Sequence, residues 1–358
     1  MEQIHNAMDM LDLIPQRAFC VREGRIIKVN PAAATLLLEI GTAVQPLLHT
    51  GAEEYTAFDG GCLYLTLSIA GHIIGASVSR VQDFDVFCLE EETDTQLQAL
   101  ALAARELRGP LGNIMIVADR LLPDAAGSDP KAQEQLSHMN RGLYQMLRII
   151  NNMSDAGLYA ADSGAHLEVR NVTAVLEEIF HRAATLTEHT SVALQYTGLS
   201  ERVFTTVDEQ KLERMVFNIL SNAIKFTPAG GTIEAKLIRR DKKLYLSICD
   251  NGSGISDSVK GDLFTRYLRG PSLEDSRFGL GLGMVMVRST AALHGGTVLI
   301  DQPEGSGTRV TVSLSIRPCD TVLKSPHLRI DYAGERDHGL IELSDVLPAR
   351  LYDPDALN

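Results

Sequence analysis

The chain has 358 residues, of which 45% are hydrophobic and 22% charged, so it is long enough for two or three folded domains of ordinary globular composition. Its formal net charge of −13 argues against a broad nucleic-acid surface, because phosphate backbones are bound chiefly by an excess of Lys and Arg. No run of the sequence approaches the roughly 18 apolar residues of a membrane span, and the acidic N-terminus is unlike a signal peptide, so we expect a cytoplasmic protein.

The N-terminal region has the pattern of a small mixed α/β domain. A hairpin is predicted from residues 18–21 and 25–29, and Asn30 is the predicted N-cap of a short helix that begins at Pro31 and ends at Leu38. Three later runs have the apolar pattern of strands: 62–70, 73–81 and 84–89. This order of elements is similar to that of PAS sensory domains, so we interpret residues 1–92 as a PAS-like sensory domain.

The sequence does not specify what this domain senses. His5, His49 and His72 are isolated histidines, and such residues more often make hydrogen bonds than bind haem. The five cysteines form no CxxC pair, which argues against a structural zinc site. An unknown sensory ligand, dimerisation and partner binding all remain open for this region.

From Gln96 onward the apolar residues follow a heptad pattern through two predicted helices, separated by a loop at 123–130. The heptad positions are Leu97, Leu100, Ala104, Leu107, Leu111, Ile114, Ala118 and Leu121, then Leu136, Met139, Leu143, Met146, Ile150 and Met153. A single antiparallel hairpin would leave its apolar seam in water. Two hairpins would close a four-helix bundle. We therefore predict a homodimer formed through residues 93–162.

The region from 163 onward alternates predicted strands and helices. Asp208 is the predicted N-cap of a helix with one apolar stripe, which consists of Leu212, Met215, Val216, Ile219, Ala223 and Phe226. Asn218, Asn222 and Lys225 form a second, polar stripe on the same helix. Amide oxygens suit Mg²⁺, and an ammonium group suits phosphate. Two glycine-rich loops follow at 250–254 and 279–283, and we expect His294 to cap or pack rather than to catalyse.

Together with blocks at 263–269 and 305–308, these motifs resemble the ATP-binding domain of bacterial sensor histidine kinases in order and spacing. The resemblance covers roughly the last two thirds of the chain and implies ATP and Mg²⁺ as cofactors, with Asn222 as the metal ligand. It implies that Asp250 accepts a hydrogen bond from the adenine amino group, although Asp-Asn-Gly alone reads as a hairpin turn. The implied nucleotide-binding residues are Asn218, Asn222, Lys225, Asp250, Gly252, Gly254, Phe264, Arg266, Arg269, Gly279, Gly281, Gly283 and Thr308.

The first helix of the hairpin departs from the family at two positions, Arg105 and Gly109, of which the first is the more consequential. Sensor histidine kinases have a block resembling Ser-His-Glu-Leu-Arg-Thr-Pro-Leu, and this chain has Ala-Arg-Glu-Leu-Arg-Gly-Pro-Leu at 104–111. Arg105 therefore occupies the place of the phosphoacceptor histidine. A guanidinium stays protonated, with a pKa above about 12, and is a poor nucleophile. Glu106 matches the acidic residue that would serve the histidine, so it is the one candidate catalytic residue here, without a nucleophile beside it. The alternative, a solvated charge on the surface of the bundle, is the interpretation we prefer.

A second position in the resemblance concerns ATP hydrolysis. Hydrolysing relatives, such as the chaperones and gyrases, have a Glu four residues before the Mg²⁺-binding Asn, and this Glu activates water. Asn218 occupies that position here, and a neutral amide cannot take a proton from water. Efficient hydrolysis is therefore not expected.

The predicted fold class is a multidomain α+β protein with a PAS-like α/β sensor, an antiparallel helical hairpin forming a dimeric four-helix bundle, and an α/β-sandwich ATP-binding domain at 163–318. Residues 319–358 carry enough apolar residues to form an ordered appendage, and a disordered tail is the alternative. Two functions remain open for the whole chain. One is a degenerate sensor kinase that binds Mg-ATP and works by conformation. The other is an active kinase that uses another acceptor or phosphorylates a partner.

The candidate partners are a second copy of the chain, a response regulator or another kinase. A third class, a structural adaptor that binds no nucleotide, is disfavoured because the asparagines and the glycine loops occur together.

Overall fold

The computed structural model describes residues 11–81, 83–90, 95–126, 130–159, 166–254, 282–303, 306–317 and 336–353. Within these ranges no helix combines the length and the apolarity needed to cross a membrane.

The N-terminal unit, residues 11–90, is an antiparallel sheet with short helical segments against it. Its strands are β1 (Ala18–Arg22), β2 (Arg25–Val29), β3 (Cys62–Ile69), β4 (His72–Val81) and β5 (Phe84–Leu89), and its α-helix is α1 (Ala52–Thr56). The strands lie in the order β2-β1-β5-β4-β3. The core is aromatic, since the rings of Phe19 and Phe87 stack with centroids 4.7 Å apart. These strands agree with the predicted hairpin and the three predicted runs to within about a residue at each end.

Asn30 connects the sheet to the segment that follows it. It is 1% exposed, and its Oδ1 accepts hydrogen bonds from the backbone N–H of Ala18 at 2.9 Å and of Ala33 at 3.0 Å. The predicted N-cap is therefore confirmed. The predicted helix is a 3₁₀ helix, Pro31–Leu36, and it ends before Leu38 because Leu37 adopts the left-handed conformation with φ 53°.

Two long helices, α2 (Thr95–Ala126) and α3 (Pro130–Tyr159), pack against each other as a hairpin. The heptad residues divide into two sets. The inner set is buried within the hairpin and includes Ala104, Leu111, Ala118, Leu143 and Ile150. The outer set is exposed and includes Leu107, Ile114, Met139 and Met146, each 44–54% exposed. The loop predicted at 123–130 was wrong in part, because α2 continues to Ala126. Pro123 lies in the last turn of that helix, where it removes one hydrogen bond to the carbonyl four residues earlier.

The next unit, residues 166–317, has helices against a mixed sheet. Its elements are β6 (Glu168–Asn171), α4 (Val172–Thr187), β7 (Ala193–Thr197), β8 (Phe204–Val207), α5 (Glu209–Phe226), β9 (Thr232–Arg240), β10 (Lys243–Asp250), α6 (Leu282–Leu293), β11 (Val298–Asp301) and β12 (Arg309–Ser315). The strands β11-β12-β10-β9-β7 are neighbours in that order, with β7 parallel to β9 and the other pairs antiparallel. A separate two-stranded sheet pairs β6 with β8. Alternate residues of β10 are buried, as expected for a sheet covered by helices on one face.

In the described residues, the sheet of the N-terminal unit and the sheet β11-β12-β10-β9-β7 join into one sheet of ten strands, which the sequence did not predict. Strand β3 pairs antiparallel with β11, with Cys62 opposite Ile300 and Tyr64 opposite Val298. Beside this junction, Arg288 of α6 forms an ion pair with Glu90, with Nη1 and Oε1 2.6 Å apart. The N-terminal unit is therefore hydrogen-bonded through its backbone to the unit that carries the candidate site.

The final described segment, residues 336–353, contains α7 (His338–Glu342) and a 3₁₀ turn at Ala349–Tyr352. Its apolar side chains are buried in the same core as the hairpin and helices α4, α5 and α6; they are Leu340, Ile341, Leu343, Leu347 and Tyr352. The described residues of this segment are therefore packed against the body of the protein, and the rest of the predicted appendage, 319–335 and 354–358, lies outside the described residues.

Candidate nucleotide-binding site

Helix α5 supplies one wall of the site. Its N-terminus is capped by Asp208, whose Oδ1 accepts a hydrogen bond from the backbone N–H of Lys211 at 3.0 Å. Asn218 is 2% exposed, and its Nδ2 donates to the backbone carbonyl of Arg214 at 2.9 Å. Asn222, one turn further on, is exposed. The two amides therefore share one helical face, but only Asn222 presents its side chain to solvent.

The start of α6 lies directly against this face. A Cβ added to Gly283 would lie 2.9 Å from Oδ1 of Asn218, and Nδ2 of Asn222 lies 3.8 Å from the sulfur of Met284. Glycine at 283 thus permits the close approach of α6 to the asparagine face. The structure brings Asn218, Asn222 and Gly283 together, and it places Lys225 on the next turn, half-buried, with its Nζ 5.6 Å from the centroid of the Phe226 ring.

A second wall is built on Asp250, the last residue of β10. Its side chain is 7% exposed, and its Oδ1 accepts hydrogen bonds from the backbone N–H of Gly252 at 2.9 Å and of Thr308 at 3.1 Å. Gly307 has φ 98°, and a Cβ there would overlap the backbone carbonyl of Asp250. The loop at 250–254 and the residues preceding β12 are therefore one packed unit that holds the carboxylate in place.

Burial raises the pKa of Asp250, and the two backbone hydrogen bonds oppose that shift. Within the described residues, Oδ2 accepts no hydrogen bond from another residue, in contrast to Oδ1. A buried carboxylate with one oxygen occupied is suited to accept a hydrogen bond from an amino group of a ligand.

His294 contacts the N-terminus of α5, the helix that forms the first wall of the site. It is 1% exposed; its Nδ1 lies 2.7 Å from the carbonyl of Thr290, and its Nε2 accepts from the backbone N–H of Asp208 at 3.0 Å. Burial lowers its pKa, so the neutral ring with the proton on Nδ1 fits this arrangement. The predicted capping or packing role is confirmed by these contacts.

Five of the residues predicted to bind nucleotide, Phe264, Arg266, Arg269, Gly279 and Gly281, lie outside the described residues. Gly254 is described, with φ 75°, and lies beside Gly307. On the hairpin, Arg105 and Glu106 are both exposed on α2, next to the buried Ala104.

Sequence reasoning missed a group of buried charges beneath the asparagine face. Arg214 of α5 is 4% exposed and its Nε lies 2.9 Å from Oε1 of Glu342, which is 0% exposed. Helical periodicity places Arg214 on the polar face, four residues before Asn218, and so gave no sign of its burial. No pattern in the sequence indicated its partner, which lies 128 residues away.

Comparisons with known proteins agree with this architecture. Residues 207–318 match the family described as "Histidine kinase-, DNA gyrase B-, and HSP90-like ATPase". Histidine kinase P4 of Formosa agariphila is 29% identical over 232 residues, which are 63% of this chain and 17% of that protein. Histidine protein kinase DivJ of Caulobacter vibrioides is 30% identical over 234 residues, which are 63% of this chain and 38% of that protein. The chain thus spans less than two fifths of the length of either relative.

The crystal structure of full-length ShkA in complex with AMPPNP is similar in fold, with a TM-score of 0.51 and 21% identity over 63% of this chain and 47% of that chain. The matched region contains both walls of the candidate site, α5 with its asparagines and the loop that follows β10. Residues 207–318 are therefore an ATP-binding domain of the histidine kinase type, and sensor histidine kinases are among the proteins to which this chain is similar.

Proposed function

We propose that this chain is a dimeric, Mg-ATP-binding signalling protein of the sensor histidine kinase family that does not phosphorylate itself at the usual position. The observation that carries the proposal is Arg105, which is exposed on α2 beside the buried Ala104. The family resemblance places the acceptor histidine at this point. A guanidinium has no free lone pair on nitrogen near neutral pH, so Arg105 cannot take a phosphoryl group as imidazole does.

The nucleotide site supports the binding half of the proposal. Asn222 presents an exposed amide beside α6, and Mg²⁺ is commonly held by one or two protein oxygens together with phosphate oxygens and water. This donor set fits Mg²⁺ when a nucleotide supplies the remaining ligands. Asp250 would orient the adenine, and Asn218, which has an amide where a water-activating Glu would be needed, disfavours hydrolysis.

The outer set of heptad residues supports a homodimer. Leu107 and Ile114 on α2, and Met139 and Met146 on α3, are each about half exposed although they lie in an apolar pattern. Large apolar side chains exposed together on a helical hairpin favour an interaction site. A second copy of the hairpin would cover this face in a four-helix bundle.

The N-terminal unit is proposed to be the sensor. Its hairpin, Asn-Pro-initiated helix and three strands follow the order that the PAS resemblance implies. Through the family resemblance, a response regulator or another kinase is the proposed protein partner, and the sensory ligand is unknown.

The test is incubation with γ-labelled Mg-ATP of the wild type, an Arg105→His variant, and each of these two proteins with Asn222→Ala. We expect no label on the wild type, acid-labile label on Arg105→His, and its loss when Asn222 is replaced. Melting with and without Mg-ATP separates binding from transfer, because a ligand that binds the folded state raises the midpoint. Label on the wild type that depends on Asn222 would establish the alternative, an active kinase with another acceptor. Absence of any stabilisation by Mg-ATP would refute nucleotide binding.

A further inference from the structure

The segment 336–353 lies beyond the region that matches the ATPase family, and its contacts join two other parts of the chain. Tyr352 is 0% exposed, its hydroxyl donates to the carbonyl of Leu340 at 2.7 Å, and its ring packs edge-on against Tyr144 of α3 at 5.1 Å. These contacts fold the segment onto itself and pack the ring of Tyr352 against the hairpin.

One side of the segment is held by a row of polar residues on α3. Nε of Arg141 and Nε2 of Gln145 both donate to the carbonyl of Ser344, at 2.9 and 3.2 Å. Arg148, on the next turn, pairs with Asp345 at 2.6 Å. These three residues lie on one helical face, so the segment follows about two turns of α3.

The other side of the segment is held by the ATP-binding domain. His338 pairs with Glu213 of α5 at 2.7 Å, and Glu213 also pairs with Arg182 of α4 at 2.6 Å. Arg182 in turn lies 3.5 Å from Asp337. The segment therefore contacts α4 and α5 through charged groups, in addition to its buried apolar residues.

The two sides meet at Glu342, which is fully buried between two arginines. Its Oε1 accepts from Nε of Arg214 on α5 at 2.9 Å, and its Oε2 lies 3.6 Å from Nε of Arg148 on α3. Arg214 also donates to Asn152 of α3 at 2.9 Å and pairs with Asp155. A buried carboxylate between two arginines is stable only while both stay in place, so this arrangement is sensitive to any shift of α5 relative to α3.

We propose that residues 336–353 are an intramolecular clamp that holds the ATP-binding domain on the second hairpin helix in one orientation. A domain interface without such contacts usually permits relative motion. Here Arg214, one turn before Asn218, is linked to α3 directly, through Asn152 and Asp155, and also through Glu342, so the asparagine face cannot turn on the hairpin unless the clamp opens. The proposal does not depend on whether the chain phosphorylates itself.

The test measures the distance between spin labels on Glu134→Cys in α3 and Gln195→Cys in β7, two exposed positions. Protein without the two added cysteines gives the background from the five natural cysteines, of which Cys20 and Cys62 are buried and Cys88 and Cys249 are partly exposed. Dilution with unlabelled chains restricts the measurement to a single copy. We expect one narrow distance in the parent protein, and loss of that single peak in Glu342→Gln, which leaves two buried arginines facing a neutral amide.

Arg350→Ala is the matched control, because Arg350 is an exposed residue of the same segment and its replacement is expected to leave the peak unchanged. Should Glu342→Gln fail to fold, Arg148→Met keeps the pair of Glu342 with Arg214 and removes the ion pairs of α3 with Glu342 and Asp345. We expect the same loss of the narrow peak in that variant. A broad distribution in the parent, or a narrow one retained in whichever of these variants folds, would overturn the proposal. Neither outcome depends on ATP binding or on transfer, so failure of the clamp and failure of the proposed function are distinguishable.

Discussion

Replacing Asp250 with asparagine should weaken nucleotide binding while stabilising the protein without nucleotide. The asparagine side chain keeps an oxygen that can accept from the backbone N–H of Gly252 and of Thr308, at the positions now 2.9 and 3.1 Å from Oδ1. Its amide nitrogen then takes the place of Oδ2. If Asp250 accepts a hydrogen bond from the adenine amino group, the variant places the amide NH₂ group, a second donor, opposite that amino group.

The loss is that of a hydrogen bond to a charged group, which contributes about 1.5–3 kcal/mol. At about 1.4 kcal/mol for each factor of ten, nucleotide affinity should fall about 10- to 150-fold. The effect on stability has the opposite sign. Burial raises the pKa of Asp250 above its unfolded value, so its contribution to stability is present at pH values below the unfolded pKa and is lost as pH rises through the folded pKa. At neutral pH the ionised side chain therefore costs stability, and the neutral amide removes that cost.

The assays are titration with a fluorescent ATP analogue and urea unfolding across a pH series. Asp241→Asn is the matched control, because Asp241 is exposed in the β9–β10 turn with φ 49°, a conformation that asparagine tolerates. The stability gain of Asp250→Asn over wild type should grow as pH rises from acid to neutral, and that of the control should not. An unchanged nucleotide affinity would show that Asp250 does not contact the base.

Three further substitutions address the support of the site and the proposed dimer. His294→Phe leaves the N–H of Asp208 without its acceptor and should cost about 1–3 kcal/mol in urea unfolding at neutral pH. Because burial lowers the His294 pKa, wild type should also lose stability as pH falls from the unfolded towards the folded pKa, and the variant should lack that loss. Gly307→Ala, at φ 98° and against Asp250, should cost more than about 1 kcal/mol in melting and weaken nucleotide binding; an unchanged midpoint would contradict the packing argument. Ile114→Glu should convert a dimer to a monomer in sedimentation equilibrium, and a persistent dimer would exclude the outer heptad face as the interface.

Local patterns in the sequence predicted most elements, because each pattern depends on contacts between residues that are close along the chain. Asn30 and Asp208 cap helices within four residues of themselves, and the hairpin of β1 and β2 closes over two residues. The heptad pattern predicted two helices, but it could not show which of its apolar residues are buried inside the hairpin and which face outward. Ala104 packs inside the hairpin and Leu107 faces outward, although both occupy heptad positions. Periodicity identifies an apolar face and does not say which molecule covers it.

The contacts that assemble the units were not predictable, because nothing in either partner specifies the other. Strands β3 and β11 each read as an ordinary strand, and their pairing joins residues more than 230 positions apart. The edge of one sheet is a template for any available strand, so local sequence does not select the partner. Glu342 similarly reads as a surface charge on a short helix, and only the fold shows it buried between two arginines.

The β3–β11 junction should weaken when the charge at Glu90 is removed. Its carboxylate lies 2.6 Å from Arg288, which is 5% exposed on α6, and accepts from the hydroxyl of Tyr64 on β3 at 3.1 Å. Glu90→Gln keeps an acceptor for Tyr64 but leaves the buried guanidinium opposite a neutral amide, at a cost of about 1–3 kcal/mol. We expect faster amide hydrogen exchange in β3 and β11, because the pairing of these strands depends on the position of α6.

Lys236→Gln is the control for this change, since it removes a charge from an exposed pair with Glu234, whose side chains are 60% and 55% exposed. Equal exchange in Glu90→Gln and the control would show that the ion pair does not hold the junction. Helix α6 also carries Gly283 of the candidate site, while Glu90 ends the N-terminal unit just before α2. Slower exchange at the junction on nucleotide binding in wild type, but not in Glu90→Gln, would show that the junction and the nucleotide site are coupled. Linkage then requires that a ligand stabilising the junction raise nucleotide affinity by the same factor. The candidate site and the N-terminal unit would then communicate through the continuous sheet rather than through the hairpin alone.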